Sequence, residues 1–382
     1  MKKQAALFQE LFGHSNNLQT YFCPGRVNLI GEHIDYLGGL VLPTAISLGI
    51  TAICRPNSER EIRLYSTDFV GTSSLNLDDL SNSKQNHWSD FVLGVILHLQ
   101  QNGVEVQGCD ILVSSTLPKA SGLSSSAALE VLCYYMFYHV AIGNGPDRVQ
   151  MALDCQKIEN EFIGVNCGIM DQFAVANGKT NHAIILDCNT LKNEPIPLNL
   201  GSYSLLIINS NKPRTLAESA YNQRRAECDK ALQILKQHRE VTNLINAKEE
   251  DLKLLENEVL QRRTKHAFTE QQRVLNSKLA LVKGDLKEFG KFLNDSHYSL
   301  RHDYNVSCTE LDFIVDQLNK SEYCLGARMT GAGFGGCCIA LIDTNHSKEL
   351  QSQLMISYTK CFGFPPSFYN TSSSGGVHKV TL

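Results

Sequence analysis

Between Cys109 and Val140 the chain passes from an apolar run, through a cluster of small residues, into a stretch free of glycine and proline. "CDILVSSTLP" (Cys109 to Pro118) reads as a strand with turn punctuation after it, and Ser124 to Val140, apolar on most faces, reads as a buried helix. A strand ending at Leu117-Pro118, a turn and a buried helix leave the helix N-terminus facing outward. Its first four N–H groups then lack internal partners, and the dipole adds partial positive charge. That makes an anion site, and the hydroxyls of "PKASGLSSSAALEV" beside it suit phosphate oxygens or a magnesium ion. The other reading is a serine N-cap with two bystanders. The stretch alone leaves both open.

Further strands are expected at Ser47 to Cys54, His182 to Cys188, Tyr203 to Asn209 and in "CCIALI" from Cys337. After Pro213 neither glycine nor proline recurs until Gly284, and this stretch, rich in Leu, Glu, Lys, Gln and Arg, reads as a helical wall. A length of 382 residues suits two domains, here divided as 1–180 and 181–382.

Hydrophobic residues at 43% and charged residues at 19% provide packed cores and carry no disorder signature. The net charge of -4, with Lys and Arg scattered, argues against nucleic acid or an anionic membrane as partner. Thirteen cysteines, an odd number with no C-x-x-C pair, fit a reduced cytoplasmic chain. The start, "MKKQAALFQELFGH", has no long apolar segment, and the longest apolar run, Val131 to Ile142, is too short to span a bilayer. No leader, membrane span or obligate protein partner is expected.

Two phosphate fingerprints fail on context. "NGKT" (Asn177 to Thr180) resembles the tail of a P-loop, but Phe173 stands where the first glycine is required. "GAGFGG" (Gly331 to Gly336) satisfies G-x-G-x-x-G, yet a strand-like run follows it where a dinucleotide fold needs a helix. Two polar concentrations remain. "GRVNLIGEHIDYLGG" (Gly25 to Gly39) brings Glu32, His33 and Asp35 within four residues, following Arg26. It is a poor metal site for want of a second spaced histidine, and a good set of partners for sugar hydroxyls; the plainer reading is a solvated polar loop. In "ENEFIGVNCGIMDQFAVANG" (Glu159 to Gly178), Asp171 sits among Ile169, Met170 and Phe173. A carboxylate in such company needs a cationic partner or serves as a base.

Taken together, these stretches resemble the GHMP small-molecule kinases, and among them the galactokinases. "GRVNLIGEHIDY", "GLSSSAA" and "MTGAGFGGC" are similar to that family's three signatures, in order. "NCGIMDQ", "SAYNQRRAEC", "TEQQRV" and "SLRHDYNVSCTELD" resemble further galactokinase stretches, and the likeness runs from about residue 20 to the C-terminus. The resemblance implies an α+β fold of two domains, ribosomal-protein-S5-like then ferredoxin-like, with the active site in the cleft between them. It implies transfer of phosphate from ATP, with Mg2+, to the anomeric hydroxyl of α-D-galactose, the first committed step of galactose catabolism.

By the same resemblance, Asp171 is the catalytic base and Arg26 the charge that stabilises transfer. Glu32, His33, Ile34, Asp35, Asn166, Gly168 and Tyr221 contact the sugar. Ala120, Ser121, Gly122, Leu123, Ser124, Ser125 and Ser126 form the phosphate loop, with Trp88 near the adenine. Ser126 and Glu159 contact the magnesium. Three positions depart from the family pattern: Ile34 stands for threonine, Leu37 for asparagine and Ala120 for glycine. These bear on sugar selectivity, and a kinase for N-acetylgalactosamine is the nearest alternative. A silent galactose sensor of the same family would lose serine-loop residues, whereas Ser124 to Ala128 are all present here.

Overall fold

The apolar runs of the sequence become strands, and the stretches without glycine or proline become helices, in a computed structural model. It describes residues 2–14, 17–68, 72–80, 84–85, 87–118, 121–212 and 217–381. Ala120 of the phosphate loop lies outside the described residues. The first half of the chain supplies α1 (Lys2–Phe12), β1 (Gln19–Asn28), β2 (Leu40–Val41), β3 (Pro43–Pro56), β4 (Glu61–Ser66) and β5 (Thr72–Asn76). It continues with α2 (Ser89–Gln101), β6 (Cys109–Ser115), α3 (Ser125–Ile142), α4 (Arg148–Lys157) and α5 (Met170–Asn177). Next come β7 (His182–Asp187), β8 (Asn193–Pro197), β9 (Tyr203–Asn209), α6 (Ala217–Lys236), α7 (Glu258–Lys283) and α8 (Leu286–Ser299). The chain ends with α9 (Thr309–Leu318), β10 (Cys324–Thr330), β11 (Cys337–Asp343), α10 (Ser347–Phe362), β12 (Ser367–Thr371) and β13 (His378–Val380).

Three sheets result. The largest runs β13-β1-β3-β6-β4-β5, and its edge strand β13 comes from the far end of the chain. Within it β4 and β6 are parallel, while the other pairs are antiparallel. A four-stranded antiparallel sheet, β10-β11-β9-β12, forms in the second half, and β2-β7-β8 make a smaller one. The glycine cluster 331–336 is followed by β11, as its sequence context requires.

One apolar cluster runs through both large sheets and the helices on them, including Val27, Leu29, Ile34, Ile111, Val131, Phe173, Ile207 and Leu341. That burial supplies the main drive for folding, at roughly 25 cal/mol per Å2 of apolar surface removed from water. A bulge between Pro24 and Arg26 interrupts the β1–β3 ladder, a device that re-aims a side chain beside a site. Gly25 occupies it, and a Cβ there would sit 2.8 Å from the Leu123 carbonyl oxygen, so its absence lets β1 approach the serine loop.

The helical stretch after Pro213 does more than wall off the fold. On α7, Glu270 accepts from the Gly31 amide at 2.9 Å and Gln271 from the Leu40 amide at 2.8 Å. His266 Nε2 meets the Glu32 carbonyl oxygen at 3.0 Å. The "TEQQRV" stretch therefore fastens the loop that carries Glu32, His33 and Asp35. No described helix is long and apolar enough to cross a membrane.

Candidate active site

Arg26 leaves the bulge in β1 and meets Asp171, in the first turn of α5, through two bonds: Nε to Oδ1 at 2.8 Å and Nη2 to Oδ2 at 2.7 Å. Its remaining arm, Nη1, donates to the Gly122 carbonyl at 2.7 Å. A planar guanidinium forked onto a carboxylate is the strong, orienting form of an ion pair. It supplies the cationic partner that Asp171 needs. Arg26 is nearly buried, whereas the Asp171 side chain keeps 30% exposure toward the cavity.

The three serines take separate roles. Ser124 is not an N-cap. Its φ of 62° is left-handed, it makes no capping bond, and its hydroxyl donates to Asp171 Oδ2 at 2.6 Å. A left-handed non-glycine residue costs roughly 1–3 kcal/mol and persists where its surroundings over-determine it. Ser125 and Ser126 face a cavity of about 410 Å3 shared with Trp88, Phe91, Leu117 and Leu129. The Ser126 hydroxyl also lies near enough to Glu159 to favour its ionised form. Ser121 turns back to the Pro118 carbonyl, and Leu123 is core.

A second cavity, of about 400 Å3, is lined by Asp171 itself. Arg26, Glu32, His33, Asp35, Glu159, Asn166, Gly168, Asp171 and Tyr221 all line it, so residues scattered over almost 200 positions meet there. Ile34 does not. It is fully buried in the core beneath the loop. A Cβ at Gly168 would displace the Asp35 carboxylate, so glycine there leaves that side chain its place. Glu32 is held firmly: Oε1 receives Thr330 Oγ1 at 2.9 Å and the Gly331 amide at 2.7 Å, and lies 2.7 Å from Arg328 Nη2. Its Oε2 receives Asn28 Nδ2 at 3.0 Å.

Burial, reinforced by the charge of Asp171, pushes the Asp35 carboxyl up to about 7. Burial likewise pushes Glu159 up to about 7, although the Ser126 hydroxyl pulls the other way. Glu159 lies in a π-helical turn, Ile158–Ile163, where Gln172 Nε2 donates to it at 2.5 Å. Such turns recur at functional sites. Because folding raises the Asp35 pKa, its stabilising contribution is full below the ordinary value and is lost as pH rises through about 7. Asp35→Asn, which cannot ionise, is therefore expected to flatten the fall in melting temperature of the ligand-free protein between about pH 4 and 7. A fall as steep as in the unaltered protein would contradict the raised pKa.

Several lining groups escaped the sequence reading. Gly331 and Ala332 reach the cavity from the glycine cluster, and Tyr36 stands beside His33. Gln172, at Glu159, sits inside the quoted "NCGIMDQ" but carries no signal of its own. Buried Glu130 on α3, its pKa pushed well up by burial and by Glu159, had none either.

Comparison with known proteins agrees with this geometry. The family model for the galactokinase galactose-binding signature matches residues 6–56. Those for the GHMP kinase N-terminal and C-terminal domains match 90–179 and 277–359. The galactokinase of Clostridium tetani is 42% identical over 98% of this chain and 96% of its own, and that of Staphylococcus saprophyticus 41% over 97% of each. The crystal structure of Lactococcus lactis galactokinase complexed with galactose superposes with a TM-score of 0.94 at 39% identity, covering 99% of both chains. Methanococcus jannaschii mevalonate kinase shares the fold, with a TM-score of 0.68 at 22% identity over 95% of this chain and 100% of that one. Fold and site together define a GHMP small-molecule kinase. Within that class, the chain belongs to the galactokinase family.

Proposed function

We propose that the Asp35-lined cavity holds galactose, that the Trp88-lined cavity holds ATP, and that Arg26, Asp171 and Ser124 between them direct phosphoryl transfer to the anomeric hydroxyl. The observation that carries this reading is the forked Arg26–Asp171 pair, which lines a sugar-sized cavity and is tied through Ser124 to the start of α3, where Ser125 and Ser126 line the other cavity. The sugar oxygen forms its bond to the γ-phosphorus, the bond to the β-phosphate oxygen breaks, and ADP leaves. Asp171, oriented by the Arg26 fork, receives the hydroxyl proton, and Ser124 holds the carboxylate in register. Ser124 does not cap α3, and no side-chain acceptor for its first-turn amides is recorded among the described residues, which leaves them to phosphate oxygens, while Arg26 adds positive charge where negative charge develops. Glu32, His33, Asp35, Asn166 and Tyr221 surround the sugar, and Ile34 supports their loop from beneath. Trp88, Phe91 and Leu129 offer an apolar face to the adenine.

The residues fit magnesium. Glu159 is a buried carboxylate with no ion-pair partner recorded among the described residues, and the Ser126 hydroxyl lies near it. No described cluster of three His, Cys, Asp or Glu forms a closed metal cage. Magnesium takes one or two protein ligands and completes its shell with water and phosphate. When bound, the ion would neutralise charge on the β- and γ-phosphates. Ser126→Ala is expected to weaken Mn2+ binding in the presence of a non-hydrolysable ATP analogue, read by paramagnetic resonance, and to raise the magnesium requirement. Unchanged metal titration would remove Ser126 from the ligand set. The odd number of cysteines, with no C-x-x-C pair in the sequence, supports action in a reducing compartment, the cytoplasm.

ADP release, coupled to a reporter and measured across galactose, N-acetylgalactosamine and glucose, tests the whole reading. Galactose is expected to turn over fastest. Absence of turnover with every galactose-like sugar overturns the assignment.

A further inference from the structure

Four side chains stand in line behind the Asp35-lined cavity with their hydrogen bonds running one way. His33 Nε2 lies 3.2 Å from the Ala332 carbonyl oxygen, and Nδ1 lies 2.9 Å from Tyr36 Oη. Tyr36 Oη is 2.7 Å from Tyr304 Oη, which is 3.1 Å from Cys228 Sγ. A carbonyl oxygen only accepts, so His33 Nε2 carries the proton. Burial brings the imidazole pKa down to about 4, which keeps it neutral, so Nδ1 accepts from Tyr36. Tyr36 then accepts from Tyr304, and Tyr304 from the Cys228 thiol. One backbone carbonyl thus sets the direction of the whole chain.

The chain joins four segments distant in sequence: the Glu32–Asp35 loop, α6, the π-helical turn Leu300–Tyr304 and the glycine cluster. His33 itself holds a left-handed φ of 61°, and such a residue stays put only where its surroundings over-determine it. Tyr36 and His33 flank Asp35, whose carboxylate faces the cavity. The rings of His33, Tyr36 and Tyr304 also pack together, with His33 4.9 Å from Tyr304 and 5.9 Å from Tyr36. Both ring nitrogens of His33 have protein partners, so its part in the site is to hold the loop.

We infer that Tyr304 and Cys228 are positioning residues of the sugar site, acting through Tyr36 and His33 to keep Asp35 in place. The inference rests on the reading that this cavity holds the sugar. It also gives the "SLRHDYNVSCTELD" and "SAYNQRRAEC" stretches a physical role that phosphoryl transfer itself leaves open.

The test measures galactose affinity by calorimetry, KM for ATP and melting temperature in Tyr304→Phe, Tyr36→Phe and the double variant, with Asp35→Ala alongside. Each single tyrosine change is expected to weaken galactose binding about 3- to 10-fold, the worth of one net hydrogen bond, with KM for ATP altered less than about twofold. The double variant is expected to match the worse single one, because a chain once cut is not cut further. Cys228→Ser, which keeps a donor, is expected to bind as the unaltered protein does, and Cys228→Ala to bind more weakly. The 15N spectrum of His33 should report the neutral Nε2–H tautomer, and Tyr36→Phe should move the Nδ1 resonance. Galactose affinity unchanged in both tyrosine variants, while Asp35→Ala loses it, overturns the inference and leaves the cavity reading standing. So does additivity in the double variant, or an Nδ1–H tautomer in the unaltered protein, a result that does not depend on any variant folding. Full affinity in Asp35→Ala brings down the cavity reading, and this inference with it.

Discussion

Asp171→Asn is expected to fold and to bind both substrates while kcat falls by about 10²-fold or more. The change keeps the side chain's size but removes the charge and the capacity to take up a proton. Arg26 donates to both Asp171 oxygens, and Ser124 adds a third bond. In the variant one of these donors faces an amide N–H, so some loss of orientation accompanies the loss of basicity. The two effects separate by pH. A base leaves an acidic limb in the pH–rate profile of the unaltered enzyme that is absent from the variant's residual rate. An anchor for Arg26 alone leaves the shape of the profile unchanged and lowers the melting temperature. Turnover retained in a stably folded Asp171→Asn enzyme rules out the base and leaves positioning by Arg26 to account for catalysis.

The second large effect is expected in stability. Arg328 is completely buried on β10, and Glu32 nearly so. The guanidinium lies 2.7 Å from Glu32 Oε1 and also donates to the carbonyls of Leu29 at 2.9 Å and Met329 at 2.8 Å. Arg328→Met keeps much of the volume but leaves a buried carboxylate without its counter-charge and two carbonyls without a donor. Removing one partner of a buried pair costs about 3–5 kcal/mol, far more than an exposed pair is worth. The shift of the urea midpoint measures it. Combining Arg328→Met with Glu32→Gln removes the stranded charge and is expected to recover a large part of the loss. Galactose affinity is not expected to return in the double variant if Glu32 also reads the sugar. A single Arg328→Met variant as stable as the parent would show that Glu32 is adequately solvated or neutral without its partner.

Much of the architecture is local and could be read from residue order. The apolar runs at Cys109 and Tyr203 are short and bounded by turn residues, and they became β6 and β9. The stretch after Ser124 has no breaker before Gly143, and it became α3, ending at Ile142. The glycine cluster was separable from a dinucleotide loop because a strand follows it. Residue types were legible too: the hydroxyls beside a helix start and the carboxylates near an arginine offered partners for phosphate and sugar, although a plain N-cap and a solvated loop fitted the same residues. What each group does was less legible. Ser124 had the composition of an N-cap, but its backbone is left-handed and its hydroxyl serves Asp171. The helical stretch after Pro213 had the composition of a solvated wall, yet Glu270 and His266 on α7 face inward and hold the sugar loop.

The sequence by itself determined the strands, the helices and the set of groups available for chemistry, because propensity, periodicity and turn residues act within a few positions. Only the tertiary structure decided the partners. Arg26 meets Asp171 across 145 positions, Tyr36 meets Tyr304 across 268 and Thr330 meets Glu32 across 298. The physical reason is that burial makes an unpaired charge or hydroxyl costly whatever its partner's place in the chain. Packing, which brings distant segments to the same cavity, selects the partner that is within reach.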